Sequence, residues 1–157
     1  GLVIATDADA KKLDRLMENC RRLGITCVHA VPAGDLDGLV AAQPRIDLIL
    51  VDAPCSNTGV LARRPEARYR FHERTLGTLT ATQGELLRRA GMLARARTRI
   101  CYSTCSIERE ENEAIVSAFC GAGGGWRIAR FQHVLPRCGD EPAEWRDGGF
   151  AALLARE

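Results

Sequence analysis

A chain of 157 residues, 46% apolar and 27% charged, has enough material for a sizeable folded core, and no run of about 18 apolar residues is present to span a bilayer. The formal net charge of +2 is too small to make the chain a polycation, so a polyanionic partner would have to be met by local charge. Seven cysteines at 20, 27, 55, 101, 105, 120 and 138, with no Cys-x-x-Cys, argue against a disulfide framework or a zinc ribbon and suit a reducing cytoplasm.

Residues 2–5 are an apolar run ending at Thr6-Asp7, after which Leu13, Leu16, Met17, Cys20 and Leu23 recur at intervals of three and four. This predicts a strand and then an amphipathic helix over 8–23, closed by Gly24. An acid at a strand tip either hydrogen-bonds a ribose in nucleotide-binding α/β folds or caps the following helix, and Asp7 admits both readings. Lys12 reads as a solvated side chain. A further strand is predicted over 27–31, a turn at Pro32-Ala-Gly-Asp35, a short helix over 36–42 and a strand over 46–51. That last run is apolar throughout after Asp47, the pattern of a strand covered on both faces.

Asp52-Ala-Pro-Cys-Ser-Asn-Thr-Gly59 follows at once, where Pro54 ends the ladder and Gly59 permits a tight loop. Residues 63–74 show no period and crowd Arg63, Arg64, Arg68, Arg70 and Arg74 around Tyr69, Phe71 and His72. Such a cluster suits phosphates and unpaired bases, or simply a solvated face. A long helix over 76–96 sets Leu79, Gln83, Leu86, Leu87, Ala90 and Leu93 on or near one side. A strand over 100–102 then leads into Tyr102-Ser-Thr-Cys-Ser106. Ser106 is placed to cap an acidic helix over 107–119, whose Glu108, Glu110, Glu111 and Glu113 suit a helix N-terminal half rather than a metal. The glycine run 121–125 follows a helix and reads as a turn, because a phosphate cradle lies between a strand and a helix. Strands over 126–135 and 148–154 end the chain, and Cys20, Cys27 and Cys120 fall in apolar patterns as core residues. The alternation predicts an α/β fold with a mostly parallel, doubly wound sheet. If the strands before the two motifs are parallel, Cys55 and Cys105 emerge at one carboxyl edge, where such sheets build their sites.

Asp52-Ala-Pro-Cys-Ser56 and Tyr102-Ser-Thr-Cys-Ser106, in that order with a long helix between, resemble the signature pair of the Nol-Nop-Sun family of S-adenosylmethionine-dependent RNA cytosine-5 methyltransferases. Arg22-Leu-Gly24, Arg63-Arg-Pro65, Gln83 with Leu86-Leu87, Glu110-Glu-Asn-Glu113 and the last strand also sit where such a family has them, so the resemblance covers nearly the whole chain. It implies a Rossmann-like class I methyltransferase fold, S-adenosyl-L-methionine as cofactor, RNA and in particular ribosomal RNA as partner, and a cytoplasmic enzyme without metal or membrane.

The resemblance also assigns roles. Cys105 is the nucleophile that adds to carbon 6 of cytosine, Cys55 assists release of the methylated product, and Asp52 contacts the base near N3 and lines the cofactor pocket. DNA cytosine-5 methyltransferases place their nucleophile in a motif like Pro54-Cys55, which would reverse the thiols; Thr104-Cys105 favours the RNA order. Asp7 becomes the ribose ligand and Asp35 the acid near the adenine, although Pro32-Ala-Gly-Asp35 carries that acid one place late. Arg95-Ala-Arg-Thr98 stands where a Pro-Gly-Gly turn is usual. The family's first strand and glycine-rich cofactor loop would precede Gly1. Residues 1–157 are therefore expected to be a partial catalytic domain, from the second strand to the terminal strand pair, that binds cofactor weakly or not at all by itself. Two other classes stand beside this one: a catalytically silent RNA-binding fragment of the same fold, and a thiol redox or zinc protein built on Cys55, Cys101 and Cys105.

Overall fold

The hydrophobic periods become elements in the predicted order. In a computed structural model, which describes residues 1–156, the chain forms two units, Gly1–Pro44 and the part from Arg45 onwards. The first unit runs β1 (Val3–Asp7), α1 (Ala10–Leu23), β2 (Val28–Pro32) and α2 (Leu36–Ala41). Strands β1 and β2 are parallel, with Val3 opposite Val28 and Asp7 opposite Pro32. Helix α1 starts two residues later than predicted because Asp9, not Asp7, caps it by accepting from the Lys11 N–H. Gly24 ends it in the left-handed region at φ +68°. Leu13 and Cys20 are the buried side chains of α1. Cys27, read as core, is exposed: it precedes β2 and its carbonyl takes the Val3 N–H.

The second unit runs β3 (Leu48–Asp52), two 3-10 turns (Thr58–Val60 and Pro65–Tyr69), α3 (Glu73–Leu93), β4 (Arg99–Thr104), a 3-10 turn (Arg109–Glu111) and α4 (Glu113–Gly121). Strand β5 (Trp126–Val134), a last 3-10 turn (Pro142–Glu144) and strand β6 (Gly149–Arg156) complete it. The sheet order is β3-β4-β6-β5, with β3 and β4 parallel and the other pairs antiparallel. Among the described residues the strands form two ladders, β1-β2 and β3-β4-β6-β5, as expected of a sheet that lacks the strand between those ending at Asp7 and Asp52.

Strand alternation sends Val51, Ile100, Tyr102, Ala152 and Leu154 to one face, where Leu87 and Ala90 of α3 and Val116 of α4 close the core. Leu48 and Leu50 point the other way and stay 50% and 63% exposed, so among the described residues the expected cover on both faces of β3 is not found. The cause is period 2: α3 packs on the Ile49 and Val51 side, and alternate residues face away from it. Helix α3 begins at Glu73 because the His72 ring accepts from the Thr75 N–H as its cap. Between α3 and β4, where the resemblance has Pro-Gly-Gly, Arg97 adopts φ +68°, a conformation that favours glycine. The predicted acidic helix is broken at Asn112 (φ −115°, ψ −99°), between a 3-10 turn and α4, with Glu111 and Asn112 both fully buried.

Candidate active site

Because β3 and β4 are parallel with Asp52 opposite Ser103, the chain after each strand leaves at one carboxyl edge. The Ala53 N–H still bonds the Ser103 carbonyl at 2.9 Å, so the strands stay paired up to the departure point. The two motif cysteines, both half-buried, then meet with Sγ atoms 3.1 Å apart. Asn57 spans them: its Nδ2 donates to the Cys55 carbonyl at 2.8 Å and its Oδ1 accepts from Cys105 Sγ at 3.1 Å. It does so at φ +63°, a left-handed conformation that asparagine tolerates better than most residues.

Gly59 serves a different end from the tight loop expected of it. Its N–H donates to the Cys105 carbonyl at 3.0 Å and its own carbonyl accepts from the Gly148 N–H at 2.7 Å. A Cβ here would lie 2.5 Å from the Gly148 oxygen and 2.8 Å from the Cys105 oxygen. Close approach of three backbone segments, not left-handed backbone, makes glycine necessary at this position.

The hydrogen bond between the thiols drives their pKa values apart. Cys105 is lowered from 9.0 to about 7, chiefly by the bond from Cys55, against burial; the charge of Asp52 opposes the shift and that of Arg64 assists it. Cys55 is pushed well up by its bond to Cys105 and by burial. Of the two thiols, Cys105 is therefore the first to ionise: it gives up the hydrogen that its neutral form donates to Asn57 Oδ1, and its anion accepts from Cys55. Asp52, at the end of β3, is exposed and accepts from Ser103 Oγ at 3.2 Å.

Under the thiols lies a buried polar layer that the sequence reading missed. Glu111, read as part of a helix N-terminus, is 0% exposed and contacts Ser56, Ser106 and Gln83. Two signals for it were present: a serine follows each motif cysteine, and Gln83 interrupts the apolar face of α3. The arginine cluster is carried by the turn Pro65–Tyr69, where Tyr69 is 74% exposed with the Arg68 guanidinium 4.6 Å from its ring centroid. Arg63 pairs with Asp147 at 3.1 Å.

The two other predicted site residues belong to the first unit. Asp7 ends β1, where its Oδ1 accepts from the Asp9 N–H at 2.9 Å and its Oδ2 from Lys12 at 3.2 Å, so Lys12 is not merely solvated. These contacts hold the Asp7 carboxyl below its usual range, the backbone bond contributing most. Asp35 stands exposed at the start of α2 and makes no capping bond with its side chain. Among the described residues, no group of three or more His, Cys, Asp or Glu is arranged to hold a metal, and no helix is long and apolar enough to cross a membrane.

The sequence model of the 16S rRNA methyltransferase RsmB/F family matches residues 1–137. The chain belongs to this family. It is 34% identical to the ribosomal RNA small subunit methyltransferase B of Enterobacter sp. (strain 638), over 99% of the chain and 37% of that protein. The chain thus spans little more than a third of the length of this curated relative. Among solved structures, NSun6 from Pyrococcus horikoshii, determined with the S-adenosylmethionine analogue SFG, aligns over 99% of the chain and 41% of its own at 25% identity and TM-score 0.76. A methyltransferase homologue from Pyrococcus horikoshii, at 22% identity and TM-score 0.75 over 100% of the chain and 54% of its own, shows the same fold.

Membership of the RsmB/F family makes the fold that of the Rossmann-like, S-adenosylmethionine-dependent methyltransferases. The residues present suit that cofactor's ribose. The Asp7 carboxyl ends β1 and is held in its acceptor form by its backbone and Lys12 partners, the form that would accept from ribose hydroxyls.

Proposed function

We propose that the chain carries the thiol half of an RNA cytosine-5 methyltransferase acting on ribosomal RNA in the cytoplasm, as a catalytic-domain segment running from the fold's second strand to its terminal strand pair. The observation that supports it most is the pairing of two cysteines from parallel strands at 3.1 Å, one with its pKa lowered to about 7 and the other raised. Carbon 5 of cytosine is a poor nucleophile, and covalent addition of a thiolate is the way to activate it. Cys105 Sγ attacks carbon 6 and forms an S–C bond, while the electron pair of the 5,6 double bond shifts towards carbon 5 and the N3–C4 region. Asp52, exposed at the strand end, would contact the base edge near N3 and favour its protonation as that charge develops. Bound S-adenosylmethionine supplies an electrophilic methyl on a sulfonium.

Once carbon 5 is methylated, its proton must leave so that the double bond re-forms and expels Cys105 as thiolate. The bond to Cys105 is the first cause of the raised Cys55 pKa, and alkylation of Cys105 removes that cause. With burial then the main opposing cause, Cys55 would release its proton to solvent and, as thiolate, take the carbon 5 proton. For the cofactor, Asp7 would hold the ribose hydroxyls, Asp35 the adenine end, and Asp52 would line the pocket. Tyr69, Arg68 and Arg70 present a ring and cations suited to an unpaired base and its phosphates.

The test uses the full-length protein with unmethylated small-subunit ribosomal RNA. Cys105→Ala should abolish both methylation and any covalent complex. Cys55→Ala should accumulate a protein–RNA complex that survives denaturing electrophoresis. Methylation by Cys105→Ala would overturn the assignment of the nucleophile, and RNA binding without methylation by the unaltered protein would favour a silent binding role.

A further inference from the structure

We infer that Glu111 is a positioning residue that fixes the two thiols relative to each other and thereby sets the reactivity of Cys105. Its carboxylate is completely buried, and the bonds it makes are to neutral groups. Burying a carboxylate without a cation is costly unless every lone pair is used. Here all four directions are filled. Oε1 accepts from the Ser56 N–H and from Gln83 Nε2, both at 2.9 Å. Oε2 accepts from Ser56 Oγ and Ser106 Oγ, at 2.5 Å each.

The identity of those donors gives the arrangement its meaning. Ser56 follows Cys55 and Ser106 follows Cys105, so one carboxylate grips both cysteine loops a single residue from each sulfur. The Gln83 Nε2 that donates to Glu111 also donates to the carbonyl of Pro54, the residue before Cys55, at 2.8 Å. Thr58 Oγ1 lies 3.3 Å from Ser56 Oγ and 3.2 Å from Ser106 Oγ and closes the layer between the loops. Glu111 is itself anchored to the second loop's strand. Its carbonyl accepts from Tyr102 Oη at 2.7 Å, and Nδ2 of the adjacent Asn112 donates to the Ser106 carbonyl at 2.9 Å. The Cys55 loop is thereby indexed to the Cys105 loop through Glu111, and the bond between the thiols depends on that index.

Replacing the carboxylate by an amide tests this at nearly constant volume. In Glu111→Gln one acceptor oxygen becomes an NH2 donor facing groups that are themselves donating, so the loops lose one of their shared ties. Lengthening of the Cys55–Cys105 hydrogen bond should follow, and with it a rise in the Cys105 pKa towards its ordinary value of 9.0. The inference rests on the two-thiol reading above, but its readout is the rate of Cys105 alkylation by iodoacetamide, followed by peptide mass against pH on the full chain without RNA or cofactor. Failure of methyl transfer would leave that readout untouched. In Glu111→Gln the midpoint should rise by one unit or more, cutting the pH 7 rate by roughly fivefold to twentyfold through the smaller thiolate fraction. Glu110→Gln, at an exposed neighbouring position, should leave it in place. If Glu111→Gln does not fold, Ser106→Ala, which removes one tie and keeps the carboxylate, should shift the midpoint in the same direction. A folded Glu111→Gln, or failing that Ser106→Ala, with its midpoint still at about 7 overturns the inference, because a purely structural residue would lower the melting temperature alone.

Discussion

At the scale of single residues, one hydrogen bond couples the titration of the two motif thiols. Two thiols of ordinary pKa would both be largely neutral at pH 7, whereas a thiol that donates to its neighbour stabilises the neighbour's anion. The same contact lowers the Cys105 pKa and raises that of Cys55, which is what the proposed division of labour between attack and release requires. Since the Cys105 pKa is lowered to about 7, the charged form prevails above that pH and is lost below it. Alkylation of Cys105 should therefore climb about tenfold per unit below pH 7 and flatten above. Cys55→Ala removes the largest cause of the shift, so the midpoint should move up towards 9.0. Asn57→Asp should act in the same direction, because it sets a carboxylate where Oδ1 now lies 3.1 Å from Cys105 Sγ, in a left-handed position that aspartate tolerates. An unmoved midpoint in Cys55→Ala would show that the thiol contact does not tune Cys105. For RNA, slower capture by Cys55→Ala and accumulation of its adduct are compatible outcomes, since one reports attack and the other release.

At the scale of elements, the loops after β3 and β4 are joined to the start of β6 through backbone contacts around Gly59. Backbone atoms cannot rotate away as a side chain can, so a methyl at this position forces the segments apart. Gly59→Ala should cost about 1–3 kcal/mol in urea unfolding and also raise the Cys105 alkylation midpoint, because the Cys105 carbonyl is one of the atoms displaced. Gly84→Ala is the matched control: it sits in α3, where an added methyl would meet nothing within 4 Å, and should be neutral or stabilising by up to about 1 kcal/mol. Equal stability of the two variants would mean that the β3, β4 and β6 junction yields easily. The need for glycine at 59 was legible in the motif, but its reason was not. Proximity to Gly148 is a contact across 89 positions of sequence, which no local pattern encodes.

At the scale of the whole molecule, what could be read from the sequence was what repeats along the chain: strand and helix periods, their order, and two motifs leaving parallel strands at one edge. Direction and depth were less legible. A continuous apolar run reads alike whether one face is covered or two, so Leu48 and Leu50 gave no warning of their exposure. Four glutamates near a helix start read alike whether they face water or the core, so Glu111 was mistaken for helix electrostatics. The units also differ in how much core they own. Around β4, Ile100, Tyr102, Leu87 and Leu154 are all completely buried, whereas in the first unit Leu13 and Cys20 are the buried apolar side chains among the described residues. A two-stranded ladder with so small a core opens more readily than the inner strand of a four-stranded sheet. Native-state hydrogen exchange on these 157 residues should thus find the β4 amides of Ile100 and Tyr102 exchanging at least about 100-fold more slowly than those of Ile4 and Ala5 in β1, a difference of about 2.7 kcal/mol in opening free energy. Equal protection in β1 and β4 would show that the two units open as one cooperative body.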